Sequence, residues 1–290
     1  MLTKDQFYEK IAAGVRLLDG ATGSNLRLAG MPKSCSTEMW VLEHPDVLQN
    51  LQRQYAIAGS QILYAPTFQA QPIALKAKGL DAETEKINAQ LVALTQAAAP
   101  GCLVAGDITT LAAFCDSWDP KNFDLLVENY RRQIRGLIDG GVDILAAETL
   151  LYPQEAEAIL TAAELEGAGA VTYTFTMQSD GSLFSGMDAG PVLKELERGG
   201  AAAVGFNCVA ADGLTAGLVA KLRRYVRLPL VCKPNAGIPV IKEDGIAHYD
   251  MHPAVFAEVV ADCIETGATL VGGCCGTTPA HIRALKEMLR

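Results

Sequence analysis

At 290 residues, 50% hydrophobic and 20% charged, the chain has the composition of a packed globular protein, long enough for one large barrel or two small domains. Its 24 Lys and Arg stand against 33 Asp and Glu, a net charge of −9 with no basic run, so a nucleic-acid backbone is excluded as the expected partner. The N-terminus, "MLTKDQFYEKIAAGVRLLDG", lacks the apolar core of a signal peptide, and no apolar run reaches the roughly 20 residues of a membrane helix. A cytoplasmic protein with no membrane partner is expected, its cysteines buried, metal-binding or catalytic rather than disulfide-paired.

Eight short, nearly continuously apolar runs read as strands of a sheet buried on both faces. They are Val15–Asp19, Gln61–Pro66, Cys102–Ile108 and Val142–Glu148, then Ala170–Met177, Ala202–Cys208, Leu228–Asn235 and Ala268–Cys274. Between them lie helical stretches, among them Asp46–Gly59, Phe123–Gly141 and His252–Gly267, the last with proline in its first turn and glycine at its end. "AGSQIL", "GGVDIL", "GGAAAV" and "TGATLV" each mark a helix end running into a strand. The pattern predicts an α/β fold, a (β/α)₈ TIM barrel forming a single domain over residues 1–290. An open doubly wound sheet is the competitor, but "DGATGSN" after the first strand lacks the G-x-G-x-x-G spacing.

In such a barrel chemistry sits at the C-terminal strand ends. These carry Asp19, Thr67, Asp107, Glu148, the pair Asn207–Cys208, Asn235, and the adjacent Cys274 and Cys275. Three thiolates at one rim suit zinc, which in catalytic sites keeps three protein ligands and an open position. Neighbouring cysteines on a strand point to opposite faces, so the backbone must bend, and Gly272, Gly273 and Gly276 would permit it. On spacing alone the pair reads equally as two small buried residues or a vicinal disulfide. Cys102, Cys232 and Cys263 fall in apolar patterns as core, Cys35 and Cys115 fall in loops, and His281 is expected on the surface of the last helix.

"LLDGATGSNL", "GFNC", "KPNAG" and "GGCCGTTPAHI", in this order, resemble the homocysteine S-methyltransferase family, from about Leu17 to the C-terminus, and most of all the homocysteine-binding module of cobalamin-dependent methionine synthase. The resemblance implies a zinc-dependent barrel that methylates the sulfur of homocysteine to methionine. It implies Cys208, Cys274 and Cys275 as catalytic zinc ligands and Asn235 as the residue whose oxygen fills the fourth position before substrate arrives. It also implies Asp19 and Glu148 on the substrate's amino group, Gly20 beside the amino acid, and Thr67 among the substrate contacts. "PNAG" and Gly276 match the cobalamin branch; the S-methylmethionine branch tends to "PNSG" and an arginine after its last cysteine. "GDIT" at 106–109 and "PTFQAQ" at 66–71 depart from the family pattern on the donor-facing rim. The chain carries no cobalamin-binding region, so methylcobalamin would be supplied in trans by a corrinoid protein or domain. S-methylmethionine or betaine as donor, and a non-catalytic zinc module docking a corrinoid protein, are the alternatives.

Overall fold

The computed structural model describes residues 1–242 and 247–289. Its strands are β1 (Arg16–Leu17), β2 (Ile62–Tyr64), β3 (Leu103–Thr109), β4 (Ile144–Leu150) and β5 (Val171–Phe175), then β6 (Ala203–Ala210), β7 (Leu230–Asn235), β8 (Val240–Ile241), β9 (Ala247–His248) and β10 (Ala268–Val271). Eight of them form one parallel sheet in the order β1-β10-β7-β6-β5-β4-β3-β2, and β8 and β9 form a small antiparallel ribbon. A parallel bridge between Leu18 and Ile62 joins the two ends of the sheet. The predicted (β/α)₈ barrel is therefore the observed fold. No helix among the described residues is long and apolar enough to cross a membrane.

The closing seam explains why β1 is shorter than its apolar run. Along this seam side chains supplement the backbone bond from the Gln61 N–H to the Leu17 carbonyl. The Tyr64 N–H donates to Asp19 Oδ2 at 2.8 Å, the Leu17 N–H donates to Gln61 Oε1 at 3.2 Å, and the Ser60 hydroxyl donates to the Leu18 carbonyl. The helices Pro45–Ala58, Phe123–Asp139 and Pro253–Glu265 match their predicted spans to within two residues at either end. Gly59 follows the first of these at φ 124°, a conformation that glycine alone adopts cheaply.

Side chains alternate along the strands with period two. The outward set packs on the helices, and the inward set, including Ile62, Tyr64, Ala105, Ile144, Val231 and Leu270, fills the barrel. Into that filling comes Phe7, fully buried, from a helix the apolar runs do not signal, Lys4–Ile11. Its start is fixed by a capping box between Thr3 and Gln6. The preceding chain is tied down as well: Leu2 N donates to Asp143 O and Leu2 O accepts from Ala170 N. The N-terminal end of the barrel is thus plugged. Phe7→Ala is expected to cost about 3–5 kcal/mol of stability, the usual loss for a buried phenylalanine. Denaturant unfolding checks this, and a cost below about 1 kcal/mol would mean the plug is ornamental.

Candidate active site

Above the apolar filling, the inward positions turn polar. Asp107 follows Ala105 on β3, Glu148 follows Ala146 on β4, and Lys233 follows Val231 on β7, each two residues on and so on the same face. With Asp19 these groups border a cavity of about 370 Å³ that opens at the C-terminal rim. Cys208, Cys274 and Cys275 border the same cavity. A more open groove of about 600 Å³ lies at the other end of the barrel, beside Lys10, Arg16 and Lys286, and holds none of the predicted site residues.

The three sulfurs lie within 4.8 Å of one another. Cys208 Sγ and Cys275 Sγ are 3.9 Å apart; a tetrahedron of zinc–sulfur bonds of about 2.3 Å has edges of about 3.8 Å. Three soft donors at that spacing fit a zinc ion, and these residues would hold it. Hydrogen bonds from Cys208 and Cys274 hold the Cys275 thiol well below the ordinary range, while Cys208 and Cys274 are themselves raised, so one thiolate is ready and a metal would displace the protons of the other two.

The bend that brings the sulfurs together differs from the expected one. β10 ends at Val271, so Cys274 and Cys275 lie beyond the strand in a turn, where Cys274 N donates to Pro234 O and Cys275 O accepts from Ala236 N. Only Gly276 of the three glycines has a left-handed backbone, at φ 79°. Gly272 and Gly273 are needed for close approach: an added Cβ would fall 2.6 Å from Asp19 O at the first and 2.3 Å from Thr277 Oγ1 at the second. The strained residue is Cys208 itself, at φ 58° in a bulge of β6. Its counterpart is Thr149, also at φ 58°, in a bulge of β4 directly after Glu148. Asn207 ties the two bulges together. It accepts from Thr149 N at 2.7 Å and from Thr174 Oγ1 at 2.9 Å, and donates to Thr149 Oγ1 at 2.7 Å.

Lys233, which the sequence reading does not single out, is 3% exposed and sits among the acids. Its ammonium is 3.0 Å from Glu148 Oε2, 3.6 Å from Asp19 Oδ1 and 3.4 Å above the centre of the Tyr64 ring. Burial works against its charge, but Glu148, Tyr64 and Asp19 outweigh burial and hold it protonated. Burial also raises the acids. Asp19 rises to about 6 despite Lys233 and the Tyr64 N–H, and Asp107 rises well above the carboxylate range through burial and the nearby Glu148. The signal was in the sequence: a lysine inside the apolar run "LPLVCKPN" needs a buried counter-charge as much as Glu148 does.

Of the predicted residues, the cavity gathers Asp19, Gly20, Glu148, Cys208, Cys274 and Cys275. Thr67 and Asn235 lie behind its wall. The Thr67 hydroxyl is spent on the backbone of Asp107, accepting from its N–H at 2.9 Å and donating to its carbonyl at 2.8 Å. Asn235 is buried at the end of β7 with Oδ1 unpaired. Cys35, read as a loop thiol, also borders the cavity, and Cys102 is half-buried rather than fully core. His281 is not on the surface. Its ring closes the cap with Thr278, bonds Met251 O and packs edge-on against Phe256, because the last helix buries this face.

The homocysteine S-methyltransferase family model matches residues 16–289. The chain belongs to the homocysteine S-methyltransferase family. It is 30% identical to the homocysteine S-methyltransferase of Escherichia coli over 298 residues, covering 94% of each. It is 28% identical to the methionine synthase of Mycobacterium leprae, covering 95% of this chain but only 24% of that protein. The metallated form of the homocysteine methyltransferase MmuM from Escherichia coli superposes with a TM-score of 0.83 at 27% identity, over 97% of this chain and 99% of that one. The family thus spans free-standing methyltransferases and a quarter-length portion of a far larger enzyme.

Lys233→Met should destabilise this protein by about 3–5 kcal/mol, because it leaves buried carboxylates without a counter-charge. Urea unfolding measures the loss, which should shrink at acid pH as those carboxyls take up protons. An equal loss at all pH would point to packing instead.

Proposed function

We propose that this protein transfers a methyl group to the thiol of homocysteine, forming methionine, with Zn²⁺ held by Cys208, Cys274 and Cys275. The observation that carries the reading is the trio of sulfurs on the wall of an acid-lined cavity of amino-acid size. A thiol is a weak nucleophile below its pKa of about 8.5. Zn²⁺, when bound, supplies the charge that keeps a coordinated substrate sulfur deprotonated at neutral pH.

The chain's own residues do the rest. Asp19 draws the substrate's ammonium to the deep end of the cavity by a charge-assisted contact. Lys233 fixes Glu148, so the acidic wall keeps its shape when the cavity fills. Gly20 lets the backbone of that wall pack against Tyr55 and Thr277, which stand where a Cβ would go. Asn207 holds Cys208 and Thr149 in their left-handed conformations, aiming one thiolate and one carboxylate at the same space. The sulfur faces the open mouth, and the methyl group passes in line from donor to sulfur: the new S–C bond forms as the donor–carbon bond breaks, and no residue becomes covalently modified.

For the donor we favour methylcobalamin carried by a separate corrinoid protein or domain. The methionine synthase relatives support this. So does the rim, where Phe114 and Trp118 after β3, Phe184 and Met187 after β5, and Ile238 and Val240 after β7 are exposed, as a surface that meets a large partner would be. At Gly276 the Tyr249 ring occupies the place of any side chain, a Cβ there falling 2.2 Å from its Cγ, which leaves no room for the arginine of the S-methylmethionine branch. The end-to-end match with the Escherichia coli enzyme favours a second reading, a small donor such as S-methylmethionine or betaine. A reducing compartment, which we take to be the cytoplasm, would keep the thiols free for metal.

A donor panel tests the reading. Zinc-loaded protein with homocysteine should yield methionine from methylcobalamin, and turnover with none of methylcobalamin, S-methylmethionine and betaine would leave the docking module as the better account. Cys208→Ala should lose both zinc and turnover, and methyl transfer surviving loss of the metal would refute the mechanism. The homocysteine affinity of the wild type relative to Asp19→Asn should be greatest above pH about 6. Below that pH the ratio should fall towards one, because Asp19 gains a proton and no longer attracts an ammonium. A ratio independent of pH would remove Asp19 from this role.

A further inference from the structure

Asp107 is the acid that the reaction scheme leaves unused. It is 6% exposed on the cavity wall, and its Oδ1 is buried with no hydrogen-bond partner. No ion pair reaches its carboxylate among the described residues. Its backbone is held firmly: Thr67 Oγ1 bonds both its N–H and its carbonyl, and Gln133 Nε2 donates to that carbonyl at 3.2 Å. The carboxyl group therefore borders the cavity on a rigid strand, with Oδ1 lacking a hydrogen-bond partner there. A buried carboxylate in that state is costly unless a ligand completes it.

The neighbouring oxygens narrow the choice of ligand. Glu148 Oε2 is taken by Lys233 at 3.0 Å. Asp19 Oδ2 is taken by the Tyr64 N–H, while Asp19 Oδ1 has no hydrogen bond and only the more distant Lys233 at 3.6 Å. Two unsatisfied acceptors thus border one cavity, Asp19 Oδ1 and Asp107 Oδ1. Burial and the nearby Glu148 raise Asp107 well above the carboxylate range, and a cation arriving beside it would draw its proton off. A bound metal ion does not suit this layer, because among the described residues only the sulfur trio converges as a set of three ligand atoms. A substrate ammonium, with three N–H donors and one positive charge, satisfies both the geometry and the charge.

We propose that Asp107, together with Asp19, receives the amino group of the thiol substrate, and that this pair makes the site selective for aminothiols. The proposal rests on the reading of homocysteine as methyl acceptor. Glu148 is then mainly the counter-ion of Lys233 and shapes the wall. Asp107 is the aspartate of "GDIT", on the strand that leads into the donor-facing rim.

Titration calorimetry on the zinc-loaded protein at neutral pH tests this without any methyl donor. The ligands are homocysteine and mercaptobutanoate, the same chain without the amino group. Losing one charge-assisted contact in Asp107→Asn should raise the homocysteine Kd roughly ten- to hundredfold, with less than about a twofold change for mercaptobutanoate. Asp107→Ser should show the same selective loss and serves should the asparagine variant fold poorly. Unchanged homocysteine affinity in the variants, or an equal loss for both thiols, would overturn the proposal. Wild-type protein that fails to bind homocysteine would instead overturn the acceptor reading, and this inference with it.

Discussion

The arrangement of the upper barrel depends on one buried ammonium. Lys233 stands on an inward position of β7 with carboxylates supplied by β1 and β4 and the Tyr64 ring beneath it. Without it the acids of that layer would be like charges confined in a medium of low dielectric, where repulsion is strong. With it they form a wall of fixed shape. Such ion clusters add little to stability compared with an apolar replacement, but removing a single member is severe. The cluster therefore belongs to the chemistry of the cavity more than to the cohesion of the fold, which comes from the aliphatic layers below it and around it.

The sulfur site is the second constraint, and it is met by backbone strain. Two strand ends must deliver three thiolates to one point. β10 does so by stopping early and turning, while β6 does so by placing Cys208 in a left-handed conformation inside a bulge. A non-glycine residue there costs on the order of 1–3 kcal/mol. Asn207 offsets that cost by binding the equally strained Thr149 across the barrel interior. The acid of one strand and the thiol of another are thereby set by a single amide, so the two ends of the cavity wall are held in fixed relation.

The barrel was legible because buried parallel strands write themselves as apolar runs, and the helices between them carry prolines and glycines at their ends. The cysteines were legible as a set through the family resemblance, since spacing alone left buried thiols and a vicinal disulfide equally open. What escaped notice depended on distance in space. Lys233 hides in an apolar run and is understood only when Glu148 is seen opposite it. The helix Lys4–Ile11 looks like an ordinary charged terminus until Phe7 is found inside the barrel. Of the glycines expected to bend the chain at the paired cysteines, Gly276 is left-handed while Gly272 and Gly273 serve close packing, and a second left-handed residue, Cys208, was not foreseen. Backbone angles of that kind leave no mark on composition. His281 was misplaced for the same reason, since nothing local says which side of a short final helix faces Phe256.

The Phe7 plug has a consequence for the order of events. With its lower end stopped, the barrel is a blind well, and everything that enters or leaves passes through one mouth. On the proposed reading with a corrinoid donor, the amino acid would be seated at depth before the bulky methyl carrier covers the opening, and the product would depart only after the carrier has withdrawn. On that same reading catalysis would be sequential, with its slow step in the coming and going of the carrier rather than in the making of the carbon–sulfur bond.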